Sequence, residues 1–237
     1  MKKILLFVCA CLMFLTLGTT SFAATVLLSD SGGALGYGYG YSSWTNMTNA
    51  LDTATGNQVT VVSNFSNLSQ MMTYDALWLD QRWTSGSLAA TEVSNIASFI
   101  ATGRKVVMIG ENSSWTSWNN QILGIVGGTF AGESSATAYP IVFNSLTNGI
   151  SSIDLPTAGL ANGGTALFDQ NFATLWGSNV LTLLDVNVLD NSYGNAQFET
   201  NVANWVADSG PVVPIPAAVW LLGSGLIGLF GLRRKFN

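Results

Sequence analysis

The chain has 237 residues, of which 48% are hydrophobic and only 9% are charged, and its formal net charge is −5. It contains no histidine, which removes the usual general base near neutral pH and the commonest metal ligand. Between the two terminal segments described below there are 13 acidic residues and three basic ones, Arg82, Arg104 and Lys105. This surplus of negative charge repels nucleic acid and anionic lipid surfaces, so neither is expected as a partner.

Residues 1–23 predict a secretory signal peptide. A charged start, "MKK", precedes the apolar run "ILLFVCACLMFLTLG", and small residues at Ser21 and Ala23 mark a cleavage site. We therefore expect export through the Sec translocon and cleavage by signal peptidase after Ala23. The alternative is an uncleaved anchor helix, which the short apolar run disfavours. Both cysteines, Cys9 and Cys11, lie in this run, so the exported protein is expected to have no thiol and no disulfide.

In the body, residues 24–208, apolar strands and helical segments alternate over a length typical of one domain. Four strands are predicted at residues 25–30, 58–63, 74–81 and 105–110, of which the third is expected to be buried on both faces. Helices are predicted between and after them, at residues 45–54 and in "NLSQMM", "LAATEVSNIASFIATG" and "NNQILGIVGG".

Beyond residue 129 the alternation is weaker. Further strands are predicted in "PIVFN", "ALFDQ" and "VLTLLDVNVL", followed by a closing helix in "NAQFETNVANWVAD". Strands that alternate with helices at this spacing need right-handed crossovers and a parallel sheet covered on both faces. The expected fold class is therefore α/β, a flavodoxin-like three-layer sandwich with a mainly parallel sheet.

The order of these elements resembles the class I glutamine amidotransferase-like fold. "YDALWLD" corresponds to the strand before the oxyanion loop, and "FIATGRKVVMIGENSSWTSWNNQILGIVGG" to the helix, strand, nucleophile turn and following helix. "VLTLLDVNVLDNSYGNAQFETNVANWVA" looks like the terminal strand, the Asp-rich turn and the last helix of that family. The resemblance covers nearly the whole body and rests mostly on hydrophobic pattern.

This resemblance implies a cysteine on the turn after the fourth strand and a histidine to take its proton. The chain instead has Gly110 and Glu111 on that turn and no histidine, which excludes thiol acyl transfer. A serine version with Ser113 or Ser114 is disfavoured, because the only available bases are carboxylates and the distant Lys105. The body is therefore expected to be a pseudoenzyme that keeps the scaffold without its chemistry.

A ligand site is expected beyond the carboxyl ends of the strands, where open α/β sheets bind their ligands. Gln81, Asp185 and Asn187 are further candidates beside the main set. The predicted ligand-binding residues are Asp30, Tyr37, Tyr39, Tyr41, Asp80, Arg82, Trp83, Glu111, Asn112, Trp115 and Trp118. Carboxylates, amides and flat aromatic faces together are typical of a carbohydrate site.

Structural roles compete with this interpretation. The tryptophans of the turn can pack the loop, the Gly/Tyr run can be a lid without a ligand, and the strand-end acids can cap neighbouring helices. The acids and amides at 185–191 lack the order of a known calcium loop, so no metal or cofactor is predicted. Glycoside hydrolysis would need two flanking carboxyl groups, and from the first four strands only Asp30, Asp80 and Glu111 are expected at this edge.

The C-terminal segment predicts a linker, residues 209–216, and a transmembrane helix in residues 217–237. The run from 217 to 232 is uncharged, and the basic stop at its end should stay in the cytoplasm by the positive-inside rule. That basic stop consists of Arg233, Arg234 and Lys235.

This tail resembles PEP-CTERM sorting signals, in the variant whose motif reads Val-Pro-Leu-Pro-Ala. The corresponding residues are Val213, Pro214, Ile215, Pro216 and Ala217, of which Ile215 departs from the usual leucine. The resemblance implies processing by an exosortase near Pro216 in a Gram-negative bacterium that makes exopolysaccharide. A plain anchor that is never cut is the alternative.

These observations together predict an exported, exosortase-sorted, non-catalytic protein, anchored first in the inner membrane and then placed at the cell surface or in the extracellular matrix. Its expected role is structural or glycan-binding, with exopolysaccharide as the partner. Two alternatives remain open, a carboxylate-dependent glycan hydrolase and a partner-binding module of the envelope.

Overall fold

The computed structural model describes residues 23–30, 36–82 and 88–208. The predicted signal peptide up to residue 22, the C-terminal helix with its sorting motif and basic stop, and Trp83 lie outside these residues. None of the helices in the described ranges is long and apolar enough to cross a membrane.

Most of the described strands belong to one mixed, mostly parallel sheet. The strands are β1 (Val26–Ser29), β2 (Val59–Val62), β3 (Ala76–Leu79), β4 (Lys105–Ile109), β5 (Thr129–Ser134), β6 (Thr137–Ala138), β7 (Ile153–Asp154), β8 (Ala158–Asn162), β9 (Thr165–Ala166), β10 (Ala173–Trp176) and β11 (Val180–Leu183). The main sheet has the order β2-β1-β3-β4-β11-β10-β9, in which the first five are parallel and the last two antiparallel. The four strands predicted up to residue 110 and their parallel pairing are confirmed.

Helices cover both faces of this sheet. They are α1 (Thr45–Thr55), α2 (Leu68–Met71), α3 (Ala90–Ile100), α4 (Thr116–Ile125) and α5 (Ala196–Ala207). Successive side chains of a strand point to opposite faces. In β1, Leu28 belongs to the core that contains Met47 of α1 and Phe198 of α5, whereas Leu27 belongs to the core that contains Ile96 of α3. Burial on both faces explains the continuous apolar runs of the central strands.

The region beyond β4 differs from the prediction. The segment "PIVFN" is not a strand: Pro140 forms an isolated bridge with Phe168, and bends and turns follow. Proline has no N–H to donate to a ladder, which keeps this segment out of the sheet. Of the predicted strand "ALFDQ", only Ala166 belongs to a strand, β9, and Phe168 forms that bridge.

The predicted strand "VLTLLDVNVL" ends early. Only β11 is extended, and a 3-10 helix, Val186–Leu189, replaces the second half. Its start is fixed by Asp185, whose side chain accepts a hydrogen bond from the N–H of Asn187. The antiparallel pair β5 and β8 was not predicted, because glycines at positions 132 and 159 interrupt the alternation of their sequences.

Candidate functional site

Four carboxyl groups follow four neighbouring parallel strands at the same edge of the sheet. Asp30 follows β1 directly and Asp80 follows β3, while Glu111 and Asp185 stand two residues beyond the ends of β4 and β11. The register pairs Ile109 with Leu183, so the chain positions of Glu111 and Asp185 correspond in the two strands. The sequence predicted the first three acids at this edge and offered Asp185 only as a further candidate.

Glu111 stands on the turn after β4 and is 3% exposed. Its carboxyl oxygens accept hydrogen bonds from the side-chain amide of Asn112 at 2.9 Å and from the N–H of Val186 at 3.0 Å. Burial outweighs these bonds and raises the pKa of Glu111 to about 7. The side chain therefore keeps its proton to a higher pH than an exposed glutamate does.

The backbone of this turn is held from α4. The buried amide of Asn119 accepts from the N–H of Glu111 at 3.0 Å and donates to its carbonyl oxygen at 2.6 Å. A Cβ on Gly110 would lie 2.5 Å from the Oδ1 atom of Asn119, so this close packing requires glycine there. The turn is consequently rigid.

Asp185 is fully buried beside Glu111. Its Oδ1 atom accepts from the N–H of Asn187 at 2.8 Å, and its Oδ2 atom accepts no hydrogen bond from the described part of the chain. Burial, and then the negative charge of Glu111, raise the pKa of Asp185 to about 8. Two acids that interact in this way titrate as a pair, and near neutral pH the pair keeps at least one proton.

Asp80 has a structural role. It is 1% exposed, and its two oxygens accept from Trp78 Nε1 at 2.6 Å and from the N–H of Tyr39 at 3.1 Å. A Cβ on Gly38, whose φ is +138°, would lie 2.9 Å from the Oδ2 atom of Asp80. Asp80 thus fixes the described part of the Gly/Tyr loop over the end of β3.

Arg82 is buried in an ion pair and does not face the candidate site. Its guanidinium donates to both carboxyl oxygens of Glu92, at 2.8 and 3.1 Å, and to Ser29 Oγ at 2.8 Å. Glu92 also accepts from the N–H groups of Phe65 and Ala89. The pair joins the beginning of α3 to the end of β1.

Two of the predicted aromatic residues also stabilise the fold. Trp118 is 0% exposed and donates from Nε1 to the carbonyl of Ile109 at 2.8 Å, which places it in the core. The hydroxyl of Tyr39 donates to Asp52 of α1 at 2.5 Å.

Some of the remaining candidates meet in a small cavity of about 200 Å³ at the carboxyl edge, which we call the sheet-edge cavity. Trp115 is only 8% exposed, and its Nε1 donates to the carbonyl of Arg82. The lining residues are Tyr37, Gln81, Glu111, Asn112, Trp115, Val186 and Asn187. Four of the predicted residues are thus brought together, whereas Asp30 and Tyr41 are not among the lining residues.

Val186 was missed by the sequence reasoning, because an apolar residue next to a buried strand carries no signal of a site. Its contribution is its backbone, which donates to Glu111. Burial, and then the charges of Asp190 and other nearby acids, raise the pKa of Tyr37, so its hydroxyl remains able to donate at neutral pH. In the described ranges, no group of three or more acidic side chains could hold a metal ion.

Comparison with known proteins defines the fold and not the chemistry. No family model and no curated protein matches the chain. The N-terminal domain of mmIFT52 superposes with a TM-score of 0.57 and 8% identity, covering 77% of this chain and 97% of that one. A protein from Thermoplasma acidophilum, described as part of a GMP synthase, superposes with a TM-score of 0.51 and 11% identity, covering 78% and 95%.

Identities this low show the fold alone. The likeness to the GMP synthase protein agrees with the resemblance to the glutamine amidotransferase-like fold that the sequence indicates.

Proposed function

We propose that this chain is an exported, non-catalytic protein of the cell surface or exopolysaccharide matrix, and that its sheet-edge cavity binds a saccharide. The observation that carries the proposal is the identity of the residue on the turn after β4. Where the resembled family needs a nucleophile, this chain has Glu111, which accepts hydrogen bonds from Asn112 and Val186. A carboxyl group accepts hydrogen bonds and, when protonated, donates one, but it does not take the place of the cysteine thiol in acyl transfer.

The lining of the cavity supports a saccharide as the ligand. Tyr37 and Trp115 offer aromatic surface to the apolar face of a sugar ring, and the side-chain amide of Asn187 offers donors and an acceptor to its hydroxyl groups. The amide of Asn112, which is bonded to Glu111 and Ser114, has one N–H left for a ligand. Neither serine of the turn lines the cavity: Ser113 and Ser114 are both exposed on the following 3-10 helix.

The binding proposal is tested by affinity electrophoresis of the purified protein in gels that contain the exopolysaccharide of the producing bacterium. We expect retardation that is weakened in Tyr37→Ala and Asn187→Ala and unchanged in Val61→Ala, which alters an exposed side chain on β2. Equal retardation of all four proteins would contradict a saccharide site at the sheet edge.

Glycan hydrolysis is the second candidate, because one observation favours it. Glu111 and Asp185 follow adjacent parallel strands, which lie about 4.8 Å apart. Retaining glycosidases separate their two carboxyl groups by about 5–5.5 Å. Against this, Asp185 is fully buried and does not line the cavity, so its carboxyl is not placed to reach a glycosidic bond.

Reducing-sugar release from the same exopolysaccharide separates the two candidates. We expect none from the wild-type protein. Release that is abolished by both Glu111→Gln and Asp185→Asn would assign the pair to catalysis and overturn the non-catalytic proposal.

Export and sorting complete the proposal. The apolar N-terminal run and the motif from Val213 to Ala217 support passage through the Sec translocon, transient anchoring in the inner membrane and processing by an exosortase. Intact-mass measurement of the native protein tests this part.

A further inference from the structure

An exposed aromatic segment lies on the connection between β6 and β7. Of the five large hydrophobic side chains that are exposed in the described residues, three are at alternate positions: Tyr139, Ile141 and Phe143, with exposed fractions of 55%, 54% and 88%. Phe143 presents almost its whole ring to the solvent, and Tyr139 and Ile141 are exposed close to it in the chain.

The segment that carries Phe143 is held rigidly from within. The hydroxyl of Thr147 donates to the carbonyl of Val142 at 2.5 Å and accepts from the N–H of Asn144 at 3.1 Å. The side-chain oxygen of Asn144 accepts from the N–H of Leu146 at 2.9 Å, and Leu146 is fully buried. The backbone next to Phe143 is thus held in place before any ligand arrives, which lowers the entropy cost of ordering this segment on binding.

A second connection joins this segment to α5. The side-chain amide of Asn201 donates to the carbonyl of Leu146 at 3.1 Å and to that of Asn148 at 2.8 Å. Between the segment and α5 lies a cavity of about 680 Å³, within the roughly 300–1,000 Å³ range of ligand pockets. Its lining contains no charged residue.

The asparagines of this cavity fall into two groups. The side chains of Asn144 and Asn201 are engaged in the bonds that hold the segment. Those of Asn148 and Asn204 are exposed and form no hydrogen bond with other described residues. Each of these two amides offers two N–H donors and an acceptor oxygen to a ligand in the cavity.

A second cavity lies beside the first and shares one lining residue with it. This cavity of about 380 Å³ lies between α1 and α5, is also lined by Asn204, and has Asn46, Asn49 and Thr200 among its polar residues. The acid among its lining residues, Glu199, has both carboxyl oxygens buried. We call the combined lining of the two cavities, which consists largely of amides and hydroxyls and includes the ring of Phe143, the asparagine groove.

We infer that the asparagine groove is a second binding site and that it takes a neutral polysaccharide chain. The ring of Phe143 matches the apolar face of a sugar, and the amides of Asn148 and Asn204 match its hydroxyl groups. The two cavities, of about 680 and 380 Å³, give room for more than one sugar unit. A neutral ligand fits because the groove offers no cation to an anionic polymer and the surrounding body is strongly acidic.

This site is independent of the sheet-edge cavity. The two share no lining residue, so either can bind if the other does not. With both occupied, one molecule would hold two polysaccharide segments at a fixed separation, which raises the avidity for a polymer without any new contact.

The test is affinity electrophoresis of the full-length protein in a non-ionic detergent, in separate gels that contain dextran, galactomannan, hydroxyethylcellulose or anionic alginate. We expect retardation in at least one neutral gel and none in alginate. Phe143→Ala and Asn204→Ala should weaken the retarding interaction at least about fivefold. Val61→Ala removes exposed apolar surface elsewhere and should behave as the wild type. Thermal melting establishes that each variant is folded.

Three results would overturn the proposal. One is the absence of retardation in every neutral gel. Another is retardation that survives both groove substitutions but is lost in Tyr37→Ala, which would assign binding to the sheet-edge cavity alone and support the proposed function. The third is self-association without polysaccharide that disappears in Phe143→Ala, which would assign the surface to contacts between protein molecules. If the protein binds at the asparagine groove and does not bind at the sheet-edge cavity, only the proposed function is contradicted.

Discussion

Replacement of Glu199 by glutamine should stabilise the protein in a pH-dependent way. Glu199 lies on α5, is 1% exposed, and neither of its carboxyl oxygens accepts a hydrogen bond from the described residues. Burial, and then the charge of Asp190, raise its pKa from 4.5 to about 7. Glutamine has the same shape and carries no charge, so the substitution removes the cost of ionising a buried acid.

The size of the effect follows from the pKa. Below pH 4.5 the carboxyl is protonated in both the folded and the unfolded chain, and its ionisation costs nothing. As the pH rises from 4.5 to about 7, the unfolded chain loses this proton first, so the free energy of unfolding falls. At 1.36 kcal/mol per pKa unit the full loss is about 3 kcal/mol, and it is complete above pH 7. Glu199→Gln should therefore gain about 3 kcal/mol at pH 8.5 and less than about 1 kcal/mol at pH 5.

Urea unfolding followed by tryptophan fluorescence at the two pH values measures this difference. Asp80, Glu111 and Asp185 also have raised pKa values, so the comparison is between variant and wild type at each pH. Glu133→Gln is the matched control: Glu133 is an exposed acid on β5 whose hydrogen bond from Ser113 lowers its pKa, and its replacement should give no gain at pH 8.5. An equal effect of Glu199→Gln at both pH values, or a loss at pH 8.5, would refute the reasoning.

Three further predictions concern other features of the chain. Arg82→Met should cost about 3–5 kcal/mol in urea unfolding, because it leaves Glu92 buried without its ion-pair partner. Adding Glu92→Leu to it should recover only part of that loss, because the N–H groups of Phe65 and Ala89 then lose their acceptor. Gly38→Ala should cost about 1–3 kcal/mol at pH 7, because the φ of +138° is strained for alanine and the new Cβ would press on Asp80, and a loss below about 0.5 kcal/mol would show that the loop yields. The native protein should have an intact mass that corresponds to residues from 24 to about Pro216, and a chain that retains the basic stop would contradict processing.

The central half of the fold was predictable because its strands are buried on both faces. The apolar runs of β1, β3 and β4 indicate buried strands. Gly103, whose φ is positive, follows α3 where the helical spacing of its apolar residues ends. Beyond β4 the sequence pattern does not indicate the elements in this way. There β5 and β8 are held by an antiparallel pairing between distant, glycine-interrupted segments, which no local pattern records.

The location of the candidate site was predictable, but the residues that line it were less so. Strand ends in a parallel sheet share one edge, so Glu111 and Asn112 were expected there and lie there. Whether a polar side chain at that edge faces a cavity or the interior depends on partners far along the chain. Asp80 is turned inward by the N–H of Tyr39, and Arg82 by Glu92, and neither partner can be read from the sequence near the acid or the base.

The hydrogen bonds of the Asn119 amide determine how the turn responds to a substitution at residue 111. It satisfies both backbone groups of residue 111 from α4, so the shape of the turn does not depend on which side chain stands there. The sheet and α4 determine the backbone shape of the turn, and the side chain of residue 111 does not. A substitution at residue 111 therefore changes the functional group on the turn without changing the backbone that presents it.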